Sequence, residues 1–268
     1  RPGYLFAAVP GTAADGRCFI KEAIAAGASA ILAPPHTRLE THYSKMPLLI
    51  EANTRRAFAR ISARFYKDQP EKTVAITGTN GKTSVAHFTQ QIWNQLGKKA
   101  ASIGTLGVSG ANMQNLSNLT TPGPVELHRL LQELSFNGVN HLALEASSHG
   151  LDQCRLDGVN IQAGVFTNFS RDHLDYHQTE DNYLNSKLRL FKELICEDGF
   201  AIVYSGTPEA AIINSIAKQR KLNFVSYGAA SSDISITKHS LTREGWFLTI
   251  KAFGRTYTAL LKICLLYT

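Results

Sequence analysis

Short apolar segments alternate with amphipathic helical patterns along most of this 268-residue chain, and this alternation constrains the fold more than any other feature. The apolar segments read TVAITG, AASIGTLGV, HLALEAS, AGVFTN and FAIVYSG. Short continuous apolar strands separated by helices predict a parallel sheet that helices cover on both faces. Ligands of such sheets bind at the carboxyl ends of the strands, where Thr77–Gly78, Glu145–Ala146 and Thr167–Asn168 fall.

Residues 1–70 predict a smaller α/β unit, which the polar segment YKDQPEK joins to a second unit over residues 71–268. The elements expected in the smaller unit are strands at 4–9, AILA and MPLLIEA and helices at 19–27 and 53–66. The final segment, ISITKHSLTREGWFLTIKAFGRTYTALL, alternates in polarity around a polar turn. That pattern predicts antiparallel hairpin strands.

Two helices have apolar residues at helical spacing, and this spacing predicts their buried faces. In the helix over 53–66, with Asn53 or Thr54 as its N-cap, the expected core residues are Ala57, Phe58, Ile61 and Phe65. In the helix that ends at Gly97, the expected core residues are Val85, Phe88, Thr89, Ile92, Trp93 and Leu96.

Charge and cysteine content narrow the classes of partner. The formal charge of +7 and the pI near 9.2 suit a nucleotide or another anionic small molecule as well as a nucleic acid. The sequence has no nucleic-acid motif and no basic run interleaved with aromatic residues, so we expect no nucleic-acid partner. Four dispersed cysteines predict reduced thiols, and no apolar segment is long enough for a membrane span. The resulting expectation is a cytoplasmic monomer.

Residues 73–84, TVAITGTNGKTS, form a candidate phosphate-binding loop between a strand and a helix. Glycines let backbone N–H groups approach an oxyanion, and the helix N-terminus adds its positive dipole end. We expect Lys82 to reach the terminal phosphates and the Thr83 hydroxyl to ligate Mg²⁺. The loop departs from the general pattern, because two residues, not four, separate its first glycine from the Gly-Lys pair. A strand–turn–helix connection with a surface lysine therefore stays open as an alternative.

Polar side chains also follow two later strands. HLALEASSHGLDQCR (141–155) places Glu145 at the end of one strand, and VFTNFSRDHLDYH (165–177) places His173 after the next. An ATP site needs Mg²⁺ held by oxygen ligands beside the phosphates, and Glu145 is positioned to supply one. Either residue alone is more often a structural hydrogen-bonding group, so the prediction depends on the neighbouring phosphate loop. The SSH run has no GxSxG elbow around it, which argues against a hydrolase triad.

The segments GTNGKT, NLTTP, LEASSHGLDQCR, TNFSRDHLDYH and SKLRLF occur in this order, and together they resemble the Mur ligases. The similarity covers nearly the whole chain and is greatest to the branch that adds the third residue of the peptidoglycan stem peptide. PGYLFAAVPGTAADGRCFI and NTRRAFARISARFY look like the end of the family's uridine-binding domain. The resemblance implies an α/β protein with a partial N-terminal UDP-substrate domain, a P-loop central domain and a missing C-terminal domain. The ending LLKICLLYT does not match the family's continuation, so we expect a chain incomplete at both ends.

The resemblance also implies ATP and Mg²⁺ as cofactors and assigns roles to individual residues. The residues that match the family's ATP site are Gly78, Thr79, Asn80, Gly81, Lys82, Thr83, Ser84 and Asn168. Those that match its muramoyl-dipeptide site are Thr120, Thr121, Ser147, Gln153 and Arg155. Those that match its metal ligands are Thr83, Glu145, His173 and Lys187. Of all these, Lys82, Lys187 and His173 are expected to take part in catalysis.

Lys187 matches the lysine that the family carries as a carbamate. A neutral lysine amine can add CO₂ to become an anionic carbamate, which offers oxygen ligands to a hard cation. Partial burial favours the neutral amine that this step needs. Its spacing alone would instead place Lys187 as a solvated helix residue beside an apolar stripe.

The implied activity is ATP-dependent addition of meso-diaminopimelate to UDP-N-acetylmuramoyl-L-alanyl-D-glutamate through an acyl phosphate, in peptidoglycan precursor synthesis. The expected partners are then these small molecules and ATP, with no membrane. Several alternatives stay open: a lysine-adding ligase, a folylpolyglutamate-synthase-like ligase, a P-loop kinase or NTPase of another class, and a fragment that only binds nucleotide or muramoyl substrate.

Overall fold

The computed structural model describes residues 2–11, 14–110 and 119–262. The unusual ending, from residue 263 with Cys264, and Asn118 of the NLTTP segment lie outside the described residues. None of the helices in the described ranges is long and apolar enough to cross a membrane.

Strands and helices alternate as the sequence predicts. The strands are β1 Leu5–Ala7, β2 Ala30–Ala33, β3 Leu48–Ile50, β4 Lys72–Thr77, β5 Ala100–Gly104, β6 Gly107–Ser109, β7 His141–Glu145, β8 Ile161–Phe166, β9 Ile195–Tyr204, β10 Asn223–Gly228, β11 Ile234–Thr242, β12 Gly245–Ala252 and β13 Arg255–Leu261. The α-helices are α1 Ile20–Ala25, α2 Thr54–Tyr66, α3 Lys82–Gln95, α4 Pro124–Phe136, α5 Ser148–Asp152, α6 Leu174–His177, α7 Glu180–Arg189 and α8 Glu209–Arg220. Short 3₁₀ turns lie at Gly16–Phe19 and Thr41–Tyr43, and a π-helical turn at Leu190–Leu194 extends α7.

The strands form two sheets. β1, β2 and β3 pair in parallel in a small sheet within the first predicted unit. The other strands form a ten-stranded sheet in the order β13-β12-β11-β10-β9-β8-β4-β7-β5-β6. The seven neighbouring strands from β11 to β5 in that spatial order pair in parallel. At one edge β6 pairs with β5 in antiparallel fashion, and at the other edge β12 and β13 also pair in antiparallel fashion. The mainly parallel sheet and the C-terminal hairpin strands are therefore confirmed.

Both faces of the large sheet are buried. In β4, Ala75 belongs to one apolar cluster and its neighbour Ile76 belongs to another, and both side chains are fully buried. Because successive side chains of a strand point to opposite faces, apolar contacts cover each face at this strand. The strand order places β7 and β8 on either side of β4, so their carboxyl ends meet at one edge of the sheet.

The predicted buried face of α2 is wrong, although Asn53 does cap the helix by accepting a hydrogen bond from the Arg56 N–H. The fully buried residues are instead Thr54, Ala59 and Ser62, and Phe65 is 73% exposed. Ala57, Phe58 and Ile61 are half-buried. α2 packs against α4, and its fully buried positions carry small side chains, so the size of the apolar side chains does not decide which face is buried.

The predicted face of α3 is only partly correct. Val85 and Trp93 pack against the apolar cluster around Ile76, as expected. The fully buried positions are Ala86 and Gln90, and Thr89 is half-buried. Phe88, Ile92 and Leu96 are exposed. The helix faces the sheet with the side that carries its small and polar residues, which the apolar spacing does not reveal.

A buried carboxylate connects elements that are distant in the sequence. The Asp157 side chain is 2% exposed and accepts hydrogen bonds from Arg56 Nε of α2 at 2.8 Å and from Arg189 Nη2 of α7 at 2.6 and 2.7 Å. Glu193 contacts both arginines, and Arg189 also donates to the Leu151 carbonyl of α5 at 2.8 Å. The network therefore joins the helix that follows the small sheet to the helices of the large sheet.

We expect Asp157→Ala to lower the free energy of unfolding by about 3 kcal/mol, because it removes the buried carboxylate that both arginines contact and leaves them with the more exposed Glu193. Urea denaturation of the two proteins measures the difference. Glu133→Ala is the matched control: it removes a carboxylate from an exposed pair with Arg129, and we expect a change within about 0.5 kcal/mol. A loss below about 1 kcal/mol in Asp157→Ala would contradict a stabilising role for the network.

Candidate active site

A cavity of about 470 Å³ lies at the carboxyl ends of β4 and β7. Most of its lining comes from the phosphate loop, from the segments after β5 and β7, and from α7. The lining residues are Thr79, Asn80, Gly81, Lys82, Thr83, Thr105, Leu119, Thr120, Glu145, Ser147, Ser148, His149, Arg155, His173, Tyr183 and Lys187. Gly78 and Ser84, which belong to the predicted ATP loop, are absent from this lining.

The loop needs glycine at position 78. Gly78 has φ +139°, and a Cβ there would lie 1.9 Å from Thr167 Oγ1. The Thr167 hydroxyl donates to the Asn80 carbonyl at 2.7 Å. Asn168 accepts from the Asn80 N–H at 2.9 Å and donates to the Asn80 carbonyl at 3.2 Å. Asn168, predicted to line the phosphate site, thus lies behind the loop and holds its backbone.

Two lysine side chains converge on one backbone oxygen. Lys187 Nζ donates to the Gly78 carbonyl at 2.7 Å, and Lys82 Nζ donates to the same carbonyl at 3.0 Å. Lys82 also donates to the Thr79 carbonyl at 2.8 Å. Lys187 is 1% exposed, and its Nζ lies 4.3 Å from the centroid of the Tyr183 ring. Lys187 is therefore a buried residue facing the loop, not a solvated helix residue.

Burial shifts the protonation of these cations. Burial and, to a lesser extent, the nearby charge of Lys82 lower the pKa of Lys187 to about 7, against a smaller opposite effect of Asp172. Burial also lowers the pKa of Lys82 and that of the half-buried Arg155. A cavity whose cations are this poorly solvated favours an anionic ligand.

Glu145 is the buried carboxylate of the cavity, with 1% exposure. Its oxygens accept from the Thr83 hydroxyl at 3.0 Å and from the Thr105 N–H at 2.9 Å. Gly104 makes room for this carboxylate, since a Cβ there would lie 1.9 Å from Glu145 Oε1. A fixed carboxylate next to a hydroxyl, both facing a cavity that suits phosphates, is an oxygen donor set that fits Mg²⁺.

His173 lines the same cavity as Glu145, but its contacts are with Asp172 and His149. Its backbone is left-handed, with φ +51°, and its side chain is 45% exposed. Its Nε2 lies 3.6 Å from Asp172 Oδ2, and its ring contacts His149. Among the described residues, no group of three or more His, Cys, Asp or Glu side chains is arranged to hold a metal ion. The metal-ligand set stays a prediction.

The predicted muramoyl-dipeptide residues separate into two groups. Thr120, Ser147 and Arg155 line the cavity. Thr121 is fully buried and donates to the Glu145 carbonyl at 2.8 Å, and the Gln153 amide is bound to Arg155. These two residues lie behind the wall, where they support the residues that face the cavity.

Ser147 caps a helix and does not form part of a triad. Its Oγ accepts from the Gly150 N–H at 3.1 Å, which fixes the start of α5, and it lies 3.0 Å from Thr121 Oγ1. The His149 ring contacts the His173 ring edge-on and the Tyr176 ring at a tilt.

Sequence analysis missed five cavity residues: Thr105, Leu119, Ser148, His149 and Tyr183. Tyr183 precedes Lys187 by four positions on α7, so helical spacing could have indicated that both share one face. Thr105 directly follows β5, at the edge where ligands bind. His149 lies in the LEASSHGLDQCR segment just after β7, so its position at the same edge could also have indicated it.

The chain matches known families in both of its predicted units. The model of the Mur ligase middle domain matches residues 76–262, and the model described as Mur ligase family, catalytic domain, matches residues 1–66. The UDP-N-acetylmuramoyl-L-alanyl-D-glutamate–2,6-diaminopimelate ligase of Bradyrhizobium diazoefficiens is 46% identical over 98% of this chain and 54% of its own length. The chain spans about half the length of the curated relatives it matches.

Solved structures agree with the family match. A structure of a ligase of that same name superposes with a TM-score of 0.80 at 26% identity, over 92% of this chain and 50% of that one. A folylpolyglutamate synthase of Mycobacterium tuberculosis, complexed with ADP and AMPPCP, shares the fold at 15% identity and a TM-score of 0.61, over 77% of this chain and 53% of that one. Because the middle-domain match alone covers more than half of the residues, the chain belongs to the Mur ligase family.

Proposed function

We propose that this chain forms the UDP-substrate and ATP-binding part of a ligase that adds meso-diaminopimelate to UDP-N-acetylmuramoyl-L-alanyl-D-glutamate. The observation that carries the proposal is the convergence of the Lys82 and Lys187 ammonium groups on the Gly78 carbonyl. Family members are ATP-dependent ligases, and the similar enzyme of Bradyrhizobium diazoefficiens carries the diaminopimelate name. Residues 1–70 and 71–268 are proposed as the two domains.

The ATP phosphates occupy the loop side of the cavity in this proposal. Lys82 exchanges its backbone carbonyl partners for phosphate oxygens, where its charge offsets the charge that spreads over the transferred group. Glu145 and the Thr83 hydroxyl would hold Mg²⁺, which neutralises phosphate charge when it is bound. Asn168 and Thr167 keep the loop in its binding conformation through Asn80.

The acyl substrate occupies the Arg155 side. The D-glutamate side-chain carboxylate attacks the γ-phosphorus of ATP, the bond to the bridging oxygen breaks, and ADP leaves. The amine of the incoming amino acid then attacks the acyl phosphate, loses a proton, and releases phosphate as the amide forms. The protein contributes alignment and charge rather than a nucleophile, and the capping role of Ser147 agrees with that division.

Lys187 is proposed to act as a carbamate. A pKa of about 7 leaves a large share of its amine neutral at neutral pH, and the neutral amine can add CO₂ and lose a proton. The product is an anion next to Lys82, so it would relieve the repulsion between the two cations. Its oxygens would also add to the donor set of Glu145 for Mg²⁺.

The alternatives differ in what they require. A lysine-adding ligase would share the whole described site and differ in its amino acid. A folylpolyglutamate-type ligase would not need the segment before residue 70, which here matches a Mur ligase model. A kinase or NTPase of another class would turn over ATP without forming an amide. A binding-only fragment would keep the cavity and lack turnover.

We expect the complete gene product to release phosphate from ATP only when Mg²⁺, UDP-N-acetylmuramoyl-L-alanyl-D-glutamate and diaminopimelate are all present. Phosphate release is measured with diaminopimelate and with lysine, and the 268-residue chain is assayed in parallel. Lys82→Met should lower release at least about 100-fold, because one preorganised charged donor is lost. Lys192→Met, which removes an exposed lysine, is the control. Release stimulated by neither amino acid would overturn the muramoyl assignment.

We expect ¹³C NMR of the protein equilibrated with ¹³C-bicarbonate to show one protected carbamate carbon. The signal should disappear in Lys187→Met and persist in Lys192→Met, because Lys187 is buried and has a lowered pKa, whereas Lys192 is exposed. The absence of a Lys187-dependent signal, with and without Mg²⁺, would contradict the carbamate.

We also expect the stability of the unmodified protein, relative to Lys187→Met, to rise between pH 7 and pH 9. The folded-state pKa of about 7 lies below the ordinary value of 10.5, so the unfolded state binds more protons in this window and stability grows as pH rises. The gain is roughly 1 kcal/mol per pH unit, measured by urea denaturation in metal-free and bicarbonate-free buffer. Parallel pH dependences of the two proteins would show that Lys187 is not desolvated.

A further inference from the structure

Arg155 is held from behind by a continuous chain of hydrogen bonds. Arg155 Nη2 and Nε donate to Gln153 Oε1 at 2.7 and 3.2 Å. The Gln153 amide donates through Nε2 to the Tyr176 hydroxyl at 3.0 Å, and that hydroxyl donates to Asp152 Oδ2 at 2.7 Å. Arg155 Nη1 is fixed separately by the Thr121 carbonyl at 2.7 Å.

The two ends of this chain determine its direction. A carboxylate only accepts hydrogen bonds and a guanidinium only donates them. Asp152 therefore makes the Tyr176 hydroxyl donate, which leaves the phenol oxygen to accept from the Gln153 amide nitrogen. Gln153 must then turn its carbonyl oxygen toward Arg155. Burial raises the pKa of Tyr176, so the hydroxyl keeps its proton and stays a donor.

The two ends of the chain face different spaces. Arg155 lines the active-site cavity together with Lys82 and Lys187, whereas Asp152 and Tyr176 line a separate groove of about 700 Å³. Gln153 connects the two sides. Asp152 does not line the active-site cavity, and the chain of hydrogen bonds is what connects it to Arg155.

We propose that Asp152 and Tyr176 are positioning residues, which orient the Gln153 amide so that Arg155 presents its remaining N–H groups to an anionic group of the acyl substrate. This inference rests on the proposed function for the identity of the substrate. An Arg N–H pair fixed before binding recognises a carboxylate or phosphate without losing side-chain entropy at that moment. The hydroxyl of Tyr176 acts on substrate binding although it never contacts the substrate.

The first test is steady-state kinetics of the complete gene product. Tyr176→Phe removes the acceptor of the Gln153 amide and should raise KM for the muramoyl dipeptide about tenfold, with KM for ATP unchanged. Asp152→Ala should raise it about threefold, while Asp152→Asn should restore it, because an amide oxygen can still accept from Tyr176. Asp175→Asn removes a neighbouring exposed charge without entering the chain and is the matched control.

A double-mutant cycle separates positioning from general damage to the fold. If Tyr176 acts through Arg155, Tyr176→Phe should add less than about twofold to the KM of an Arg155→Ala protein. Equal and independent effects of the two substitutions would overturn the inference. So would an unchanged KM in Tyr176→Phe.

A substrate-free measurement distinguishes this inference from the proposed function. In ¹⁵N-labelled protein, the Arg155 Nε–H signal, assigned by its loss in Arg155→Lys, should be protected from exchange and should lose protection in Tyr176→Phe. That result supports the positioning chain whether or not the protein turns over the muramoyl dipeptide. A protein that shows this loss of protection but no turnover would overturn the proposed function and leave the positioning inference standing. An Nε–H equally protected in Tyr176→Phe overturns the inference even where turnover is confirmed.

Discussion

Two ammonium groups share one backbone carbonyl in this molecule, and most of the site depends on that arrangement. Lys82 comes from the loop itself and Lys187 from α7, and both donate to Gly78. Burial is the main cause of the lowered pKa of Lys187, and the charge of the neighbouring Lys82 adds to it, because one carbonyl dipole cannot balance two positive charges. The site is therefore electrostatically incomplete without an anion. Binding of phosphate oxygens to Lys82 would relieve the repulsion between the two lysines, and so would an anionic modification of Lys187.

The sheet determines where that carbonyl points. Gly78 adopts a φ that other residues rarely adopt, and the Thr167 side chain occupies the space that any Cβ would need. Thr167 and Asn168 follow β8, the neighbour of β4, and they hold the loop backbone through Asn80. Residues at the end of the adjacent parallel strand thus hold the backbone of the loop in place. A similar support operates at Glu145, which Thr83 and Thr105 hold from two other segments.

Features that depend on residues close in the sequence could be predicted, whereas features that depend on tertiary packing could not. The strands, the loop and the cavity edge could be predicted, because apolar runs and the GTNGKT segment depend on nearby residues. The buried faces of α2 and α3 could not, since a face such as Thr54–Ala59–Ser62 depends on how closely a partner helix approaches. The same reason applies to Gln153 and Asn168. Their sequence positions match a binding motif, but only tertiary packing turns their amides toward Arg155 and Asn80.

The helix α7 also explains why the two sheets and the cavity form one connected structure. Residues two positions apart on a helix point to nearly opposite sides, so Lys187 and Arg189 leave α7 in different directions. Lys187 contacts Gly78 on one side, and Arg189 contacts the buried Asp157 on the other, where Arg56 of α2 is bound as well. Rotation of α7 that improved one contact would break the other. Arg56 of α2, the helix that follows the small sheet, therefore helps to fix the position of Lys187, because it holds the Asp157 carboxylate that Arg189 contacts.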